Sequence, residues 1–303
     1  MKVAVALNRT SSKGRSAKQF DVIRDTLAEY PVEPVWVCGQ SAAEDRATMR
    51  ELAESGEIAA LLCAGGDGMV HSGVNALGDT HIPLGIVAIG TGNDIARQFG
   101  LPRGKAAAAV RQALDALMAQ RTKTVDLIEI EGAEVRERAL AVVSCGIDAD
   151  INLRSNHMTW PRGGLRYIRA LIHSLLAYKP YGAQVTIAGE TNRGMVSVLS
   201  VANTQYIGSG IHIAPQADPA DGYLDLVLVG KIGGKEIAEM LPKLAVSKHI
   251  SDPRVHTRRV TEIHIAPDLA SGIQLPKLMA DGEEIVAAPA TVRILPQALE
   301  LLV

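Results

Sequence analysis

The chain has 303 residues, more than one ordinary domain needs and enough for two, each with its own core. Hydrophobic content of 47% and charged content of 21% exclude a disordered or fibrous chain, and a formal net charge of -2 leaves no global field that would make nucleic acid a partner. Any attraction to a membrane must therefore be local. The three cysteines, Cys38, Cys63 and Cys145, are widely spaced, and each sits in or beside an apolar run. They read as reduced core thiols of a cytoplasmic protein. The apolar stretch in "MKVAVALNRT" is too short for a secretion signal, and no window approaches ~18 uninterrupted apolar residues, so a membrane, if used, is visited rather than crossed.

In chain order, "KVAVAL", "EPVWVC", "IAALLC" and "PLGIVAIG" read as short buried strands. The stretches "RSAKQFDVIRDTLAEY", "SAAEDRATMRELAES" and "KAAAAVRQALDALMAQ" carry helical periodicity between and after them. That alternation predicts a parallel α/β domain. From Thr124 the texture changes to "TVDLIEIEG", "ERALAVVSCGI", "AQVTIAG", "MVSVLSVANTQYIG", "YLDLVLVG" and "EIHIAP", strands without regular helical spacers. They predict a mostly antiparallel second domain, interrupted by helical intervals near 165–178 and 233–246. The closing "TVRILPQALELLV" can return to the first domain, which gives domains at 1–123 with 292–303 and at 124–291.

Three polar loops follow strands of the first domain. "GGDG", residues Gly65, Gly66, Asp67 and Gly68, comes directly after the third strand. A glycine-rich turn there lets backbone N–H groups approach a phosphate, and the next helix N-terminus adds favourable partial charge. Asp67 would repel a phosphate unless a divalent cation lay between them, which makes it a candidate Mg²⁺ ligand. The plainer alternative is a tight strand-to-helix turn with Asp67 as a helix cap. "NRTSSKGRS" offers Asn8, Ser12 and Lys13, and "GTGND" offers Thr91, Asn93 and Asp94, although Asp94 could equally cap the helix after it.

"GGDG" followed by a helix and then "GTGNDIARQFGLP" resembles the diacylglycerol kinase catalytic family, which includes sphingoid and related lipid kinases and is distantly similar to NAD kinases. The resemblance extends through an N-terminal Asn8 to Gly14 loop, Asp126 in "TVDLIEI", Asp221 and Gly222 in "PADGYLDL", and Asp281, Gly282 and Glu283 in "LMADGEEI". It implies a two-domain enzyme: a Rossmann-like parallel α/β nucleotide-binding domain and a mostly antiparallel β-sandwich domain with a few helices. The implied reaction is ATP- and Mg²⁺-dependent phosphorylation of a lipid hydroxyl in a cleft between the two. Asp281 or Glu283 is then the base and metal-side acid. Asn8, Ser12, Lys13, Gly65, Gly66, Asp67, Gly68, Thr91, Asn93 and Asp94 hold the nucleotide. Asp126 ties the catalytic acid into a metal network, and Asp221 with the Tyr223 carbonyl holds a structural Mg²⁺. Without the resemblance, "DGEE" is an Asp-Gly hairpin with solvated acids, and Asp221–Gly222 is an ordinary turn. Family members often pair through the second domain, so the resemblance allows a homodimer, while the residues themselves carry no signal of oligomeric state.

The chain departs from the family's usual "GGDGT" and helical Asn-Glu pair with Met69, His71 and Ser72. The backbone anion site needs only N–H groups and glycines, so these changes imply a variant active kinase, with a non-catalytic lipid or nucleotide sensor as the other class. His71 reads as a satisfied surface or cap histidine, with a compensating polar contact as the other reading. Between Ile151 and Gly189 there is no Asp or Glu, while Arg162, Arg166 and Arg169 lie near Trp160 and Tyr167. Such a segment suits an anionic bilayer, each cation contributing ~1 kcal/mol, and points to peripheral contact with the inner face of the membrane. The stripe Leu165, Ile168, Leu171, Ile172, Leu175 and Leu176 can equally pack inward on the second domain. Diacylglycerol is the leading acceptor. A sphingoid base, phosphatidylglycerol or another lipid alcohol is the runner-up.

Overall fold

The computed structural model describes residues 1–7, 15–158, 160, 169–174 and 178–303. They divide into two compact units, Met1–Val125 with Gln297–Val303, and Asp126–Pro296.

In the first unit the apolar runs become strands and the periodic stretches become helices. The order is β1 (Lys2–Leu7), α1 (Arg15–Leu27), β2 (Glu33–Val37), α2 (Ala42–Glu54), β3 (Ile58–Gly65), α3 (Asp67–Leu77), β4 (Leu84–Ala88), the short α4 (Asp94–Gln98) and α5 (Ala106–Met118). Ser41 starts α2, its hydroxyl accepting the Glu44 N–H at 3.2 Å while the Glu44 carboxylate accepts the Gln40 N–H at 2.8 Å. The strands lie in the order β4-β3-β1-β2, every neighbouring pair parallel. Val5, Leu7 and Leu62 from the sheet pack with Ile23 and Leu27 of α1 and Val110 and Leu114 of α5. The chain winds outward in opposite directions from β1 and from β3, so the carboxyl ends of these two neighbours form the switch point at which open α/β sheets bind ligands.

β5 (Thr122–Glu131) leads into the second unit, where neighbouring strands pair antiparallel. There follow β6 (Arg136–Ala139), β7 (Val142–Ser144), α6 (Ile147–His157), β8 (Tyr181–Ile187), β9 (Glu190–Ala202), β10 (Tyr206–Ile207), β11 (Ile211–His212), β12 (Leu224–Gly230), α7 (Gly234–Ala245), β13 (Val255–Val260), β14 (Glu262–Pro267), β15 (Leu278–Ala280), β16 (Glu283–Val286) and β17 (Ala290–Leu302). The long β9 is the organiser, pairing with β8, β7 and β12. The unit boundaries fall inside β5 and β17, because each runs unbroken from one unit into the other, and β17 ends parallel to β4 with Leu301 opposite Leu84.

Three local features differ from the pattern read in the sequence. "ERALAVVSCGI" is not one strand but two, parted by a bend at Leu140–Ala141. Residues 147–157 are helical although their apolar positions share no face. "VHTRRV" pairs as β13 with its four middle residues exposed. Of the helical interval near 165–178, residues 169–174 are helical and 165–168 and 175–177 lie outside the described residues.

Candidate active site

In the first unit the two glycine-rich loops form one structure. The Gly65 carbonyl at the end of β3 accepts the N–H groups of Ile89 and Gly90, each at 3.0 Å. A Cβ on Gly90 would stand 2.4 Å from the Gly66 Cα, so only glycine permits this approach. Asp67 opens α3 but caps another helix: its Oδ2 accepts the Asp94 N–H and its Oδ1 the Ile95 N–H, both at 3.1 Å. That contact closes the N-terminus of α4, whose own cap, Asn93, sits in the left-handed region at φ 54° and donates its side-chain amide to the Gly90 carbonyl at 2.8 Å. Gly68 lies in the first turn of α3, Thr91 is exposed at the loop, and Asp94 is buried with Arg97 Nε at 3.6 Å. Asn8, Ser12 and Lys13 lie outside the described residues.

Two of the departures in α3, Met69 and His71, have structural accounts. Met69 packs so close to Gly65 that a Cβ there would lie 2.6 Å from the Met69 Cβ. His71 is no surface or cap residue: it is 1% exposed, with Asn75 Nδ2 donating to its carbonyl at 2.9 Å and lying 3.4 Å from its Nε2.

In the second unit, Asp281 and Gly282 form a two-residue hairpin between β15 and β16, with φ of 52° and 89°. The turn matches the plainer expectation, but the carboxylate of Asp281 is not solvated. Asp281 is buried, its Oδ2 accepting the Leu140 N–H at 2.9 Å and its Oδ1 the Ala141 N–H at 2.8 Å. Glu283 is exposed at the start of β16. Asp126, 1% exposed, accepts the Gly222 N–H at 2.8 Å. Its neighbour across that turn, Asp221, accepts the Tyr223 N–H at 3.0 Å and pairs with Arg259, whose guanidinium lies 4.2 Å from the Tyr223 ring centre.

These surroundings bear on Mg²⁺. Asp67, a carboxylate that follows the end of β3 in the glycine-rich turn, fits a cation that binds through one or two carboxylates, phosphate oxygens and water. Asp221 does not fit, because a guanidinium already neutralises it. Among the described residues no three His, Cys, Asp or Glu side chains group as metal ligands.

The second unit also contains an apolar pocket that the sequence reading missed. Ile147 and Ile151 of α6, Leu171, Val198 of β9, Val227 of β12 and Met240 of α7 are among its lining residues, and His249 is the one polar side chain among the described residues of the lining. The alternation of Val198, Val227 and Val229 along their strands is the visible signal, but nothing in it distinguishes a pocket lining from a filled core. His249 is 2% exposed, bonds the Ile213 carbonyl through Nε2 at 2.8 Å, and has its pKa pushed down by burial. α7 is tied beside the pocket by Lys243, 2.7 Å from Asp252; Arg254 and then Lys243 hold that carboxyl well below the usual range. Of the arginines expected at a membrane, Arg169 donates to the Trp160 carbonyl at 2.7 Å, with its guanidinium 5.6 Å from the exposed Trp160 ring. Arg162 and Arg166 lie outside the described residues.

Two families match successive parts of the chain. The diacylglycerol kinase catalytic domain covers residues 2–130, and the YegS C-terminal NAD kinase beta sandwich-like domain covers 141–303. A diacylglycerol kinase of Mycobacterium tuberculosis is 31% identical over 305 residues, spanning 99% of this chain and 94% of that protein. A protein of Shewanella frigidimarina named "Probable lipid kinase YegS-like" is 23% identical over 95% of this chain and 90% of its own. In fold, the crystal structure of a diacylglycerol kinase from Bacillus anthracis matches with a TM-score of 0.78 at 19% identity, covering 99% of this chain and 96% of that one. With both halves matched and a relative above 30% identity along nearly the whole length, this chain belongs to the diacylglycerol kinase-like family of ATP-dependent lipid kinases.

Proposed function

We propose that the protein transfers the γ-phosphoryl group of ATP to the hydroxyl of diacylglycerol, with Mg²⁺, giving phosphatidic acid and ADP. The observation that carries the lipid acceptor is the pocket of the second unit, whose lining among the described residues is apolar except for His249. Hydrocarbon gains about 0.8 kcal/mol per methylene on leaving water for such a lining. The acceptor oxygen bonds to the γ-phosphorus, the bond from that phosphorus to the bridging oxygen breaks, and the hydroxyl proton passes to Asp281, with Glu283 the other candidate. Backbone N–H groups of the Gly65–Gly68 turn and of Thr91–Asn93 hold phosphate, joined by Asn8, Ser12 and Lys13, while Asp94 keeps its N–H on Asp67. Asp67 is the Mg²⁺ ligand, and the ion supplies neutralising charge to the transferring group when bound.

Diacylglycerol is read from the names of relatives, and the YegS-like name of another keeps a different lipid alcohol as the second reading. Peripheral contact with the inner, anionic face of a membrane is supported by Trp160 and Ile172, 71% and 52% exposed, beside Arg169. Among the described residues no helix is long and apolar enough to cross a bilayer. The test is transfer of label from γ-labelled ATP into the organic phase across diacylglycerol, a sphingoid base and phosphatidylglycerol, with product masses. Labelled phosphatidic acid is expected, with Asp67→Ala and Asp281→Ala each lowering transfer by roughly 10²- to 10⁴-fold. Tight ATP binding without transfer to any lipid would identify a sensor instead, and label on NAD would identify a different kinase.

A further inference from the structure

We infer that Asn203 is a positioning residue for Asp281; the inference rests on the proposal that Asp281 takes the acceptor proton. The bend at Leu140–Ala141 lies against the Asp281 carboxylate. Both residues are buried, and the break between β6 and β7 removes their backbone groups from the strand ladder. Buried N–H and C=O groups need partners from elsewhere.

All four find them. The two N–H groups donate to the Asp281 carboxylate. On the other side, the Leu140 carbonyl accepts Asn203 Nδ2 at 2.9 Å, and the Ala141 carbonyl accepts the N–H groups of Asn203 at 2.8 Å and Thr204 at 3.1 Å. Asn203 Nδ2 also donates to the Asp126 carbonyl at 2.9 Å. One side chain, 0% exposed, therefore joins the backbone of Asp126 to the bend that grips Asp281. Only a side-chain amide offers two hydrogens from one nitrogen to two carbonyls in this geometry without bringing in charge. Release of that bridge would let the bend relax and move the carboxylate, and a misplacement of ~1 Å at a reacting group can cost on the order of 10²-fold.

The experiment compares kcat and KM for ATP and for diacylglycerol in wild type, Asn203→Ala, Asn203→Ser and Asp281→Asn. Asn203→Ala is expected to lower kcat by about 10- to 100-fold, with both KM values within about twofold. Asn203→Ser should fall between, since a hydroxyl can serve one of the two carbonyls. Should Asn203→Ala fail to fold, Asn203→Ser decides by the same kcat-against-KM split. Transfer abolished in Asp281→Asn but unchanged in kcat in the Asn203 variants would overturn this inference alone. Full transfer in Asp281→Asn would remove the proton-acceptor reading beneath it.

Discussion

Asp67 and Asp281 do the same thing in different units: each carboxylate accepts two consecutive backbone N–H groups from a segment remote in the chain. A substitution at either therefore reports on structure as well as chemistry. Asp67→Asn retains one good acceptor and loses the other, so α4 should be loosened by about 1 kcal/mol, the typical loss of a helix cap, measurable as a lower denaturation midpoint. Gly90→Ala should cost more, about 1–3 kcal/mol, and weaken ATP binding in titration calorimetry, because its Cβ would meet backbone 2.4 Å away, where no rotamer change gives relief. The glycines of both loops are plain in the sequence. Their reason is not, because the approach of Gly90 to Gly66 exists only once β3 and β4 lie side by side. His249 gives a pH prediction. Burial lowers its pKa below the ordinary 6.5, and its Nδ1 has no partner among the described residues. The folded state thus refuses a proton that the unfolded chain accepts, so this contribution to stability is complete above 6.5 and is lost as pH falls through and below it. Melting temperatures recorded from about pH 8 to about pH 5 should decline on the acid side, and His249→Gln should flatten the decline.

At the scale of elements, the alternation of buried strand and amphipathic helix made the first unit legible, because each period maps onto one face of one element. The second unit was legible as antiparallel strands but not in its interruptions. The bend at 140–141 lies inside an unbroken apolar run and is defined by partners at 203 and 281, which no local window contains. The apolar pocket was hidden for a related reason: α7 shows an amphipathic stripe, and Met240, Leu241 and Leu244 on it would look the same over a solid core. Filling the pocket tests what those elements enclose. Val198 on β9 lines it, and Val198→Trp should raise the KM for long-chain diacylglycerol about tenfold or more while leaving ATP affinity unchanged, since each excluded methylene forfeits about 0.8 kcal/mol. An unchanged lipid KM would show that the chains bind elsewhere.

For the molecule as a whole, divalent metal divides into a cation that reacts and a cation that holds the fold, and the two can be separated. The family resemblance assigns one of each, with Asp67 on the reacting ion and Asp221 on the structural one. The arrangement at Asp221 argues against the second. Its carboxylate already faces Arg259, which bridges from β13 and stacks on Tyr223, so the turn before β12 has its positive charge from within the chain. Nearby Asp225 is buried, and burial pushes its pKa up against the opposing pull of Arg259, so the same guanidinium serves two acids. Chelation with EDTA should therefore stop phosphoryl transfer while leaving the melting temperature of the intact protein where it was. Arg259→Gln should do the reverse, lowering the melting temperature and making it newly sensitive to Mg²⁺, because Asp221 would then face no fixed cation. A wild-type melting temperature that drops in EDTA, with metal retained through gel filtration and lost in Asp221→Asn, would show that an ion and not Arg259 braces this turn.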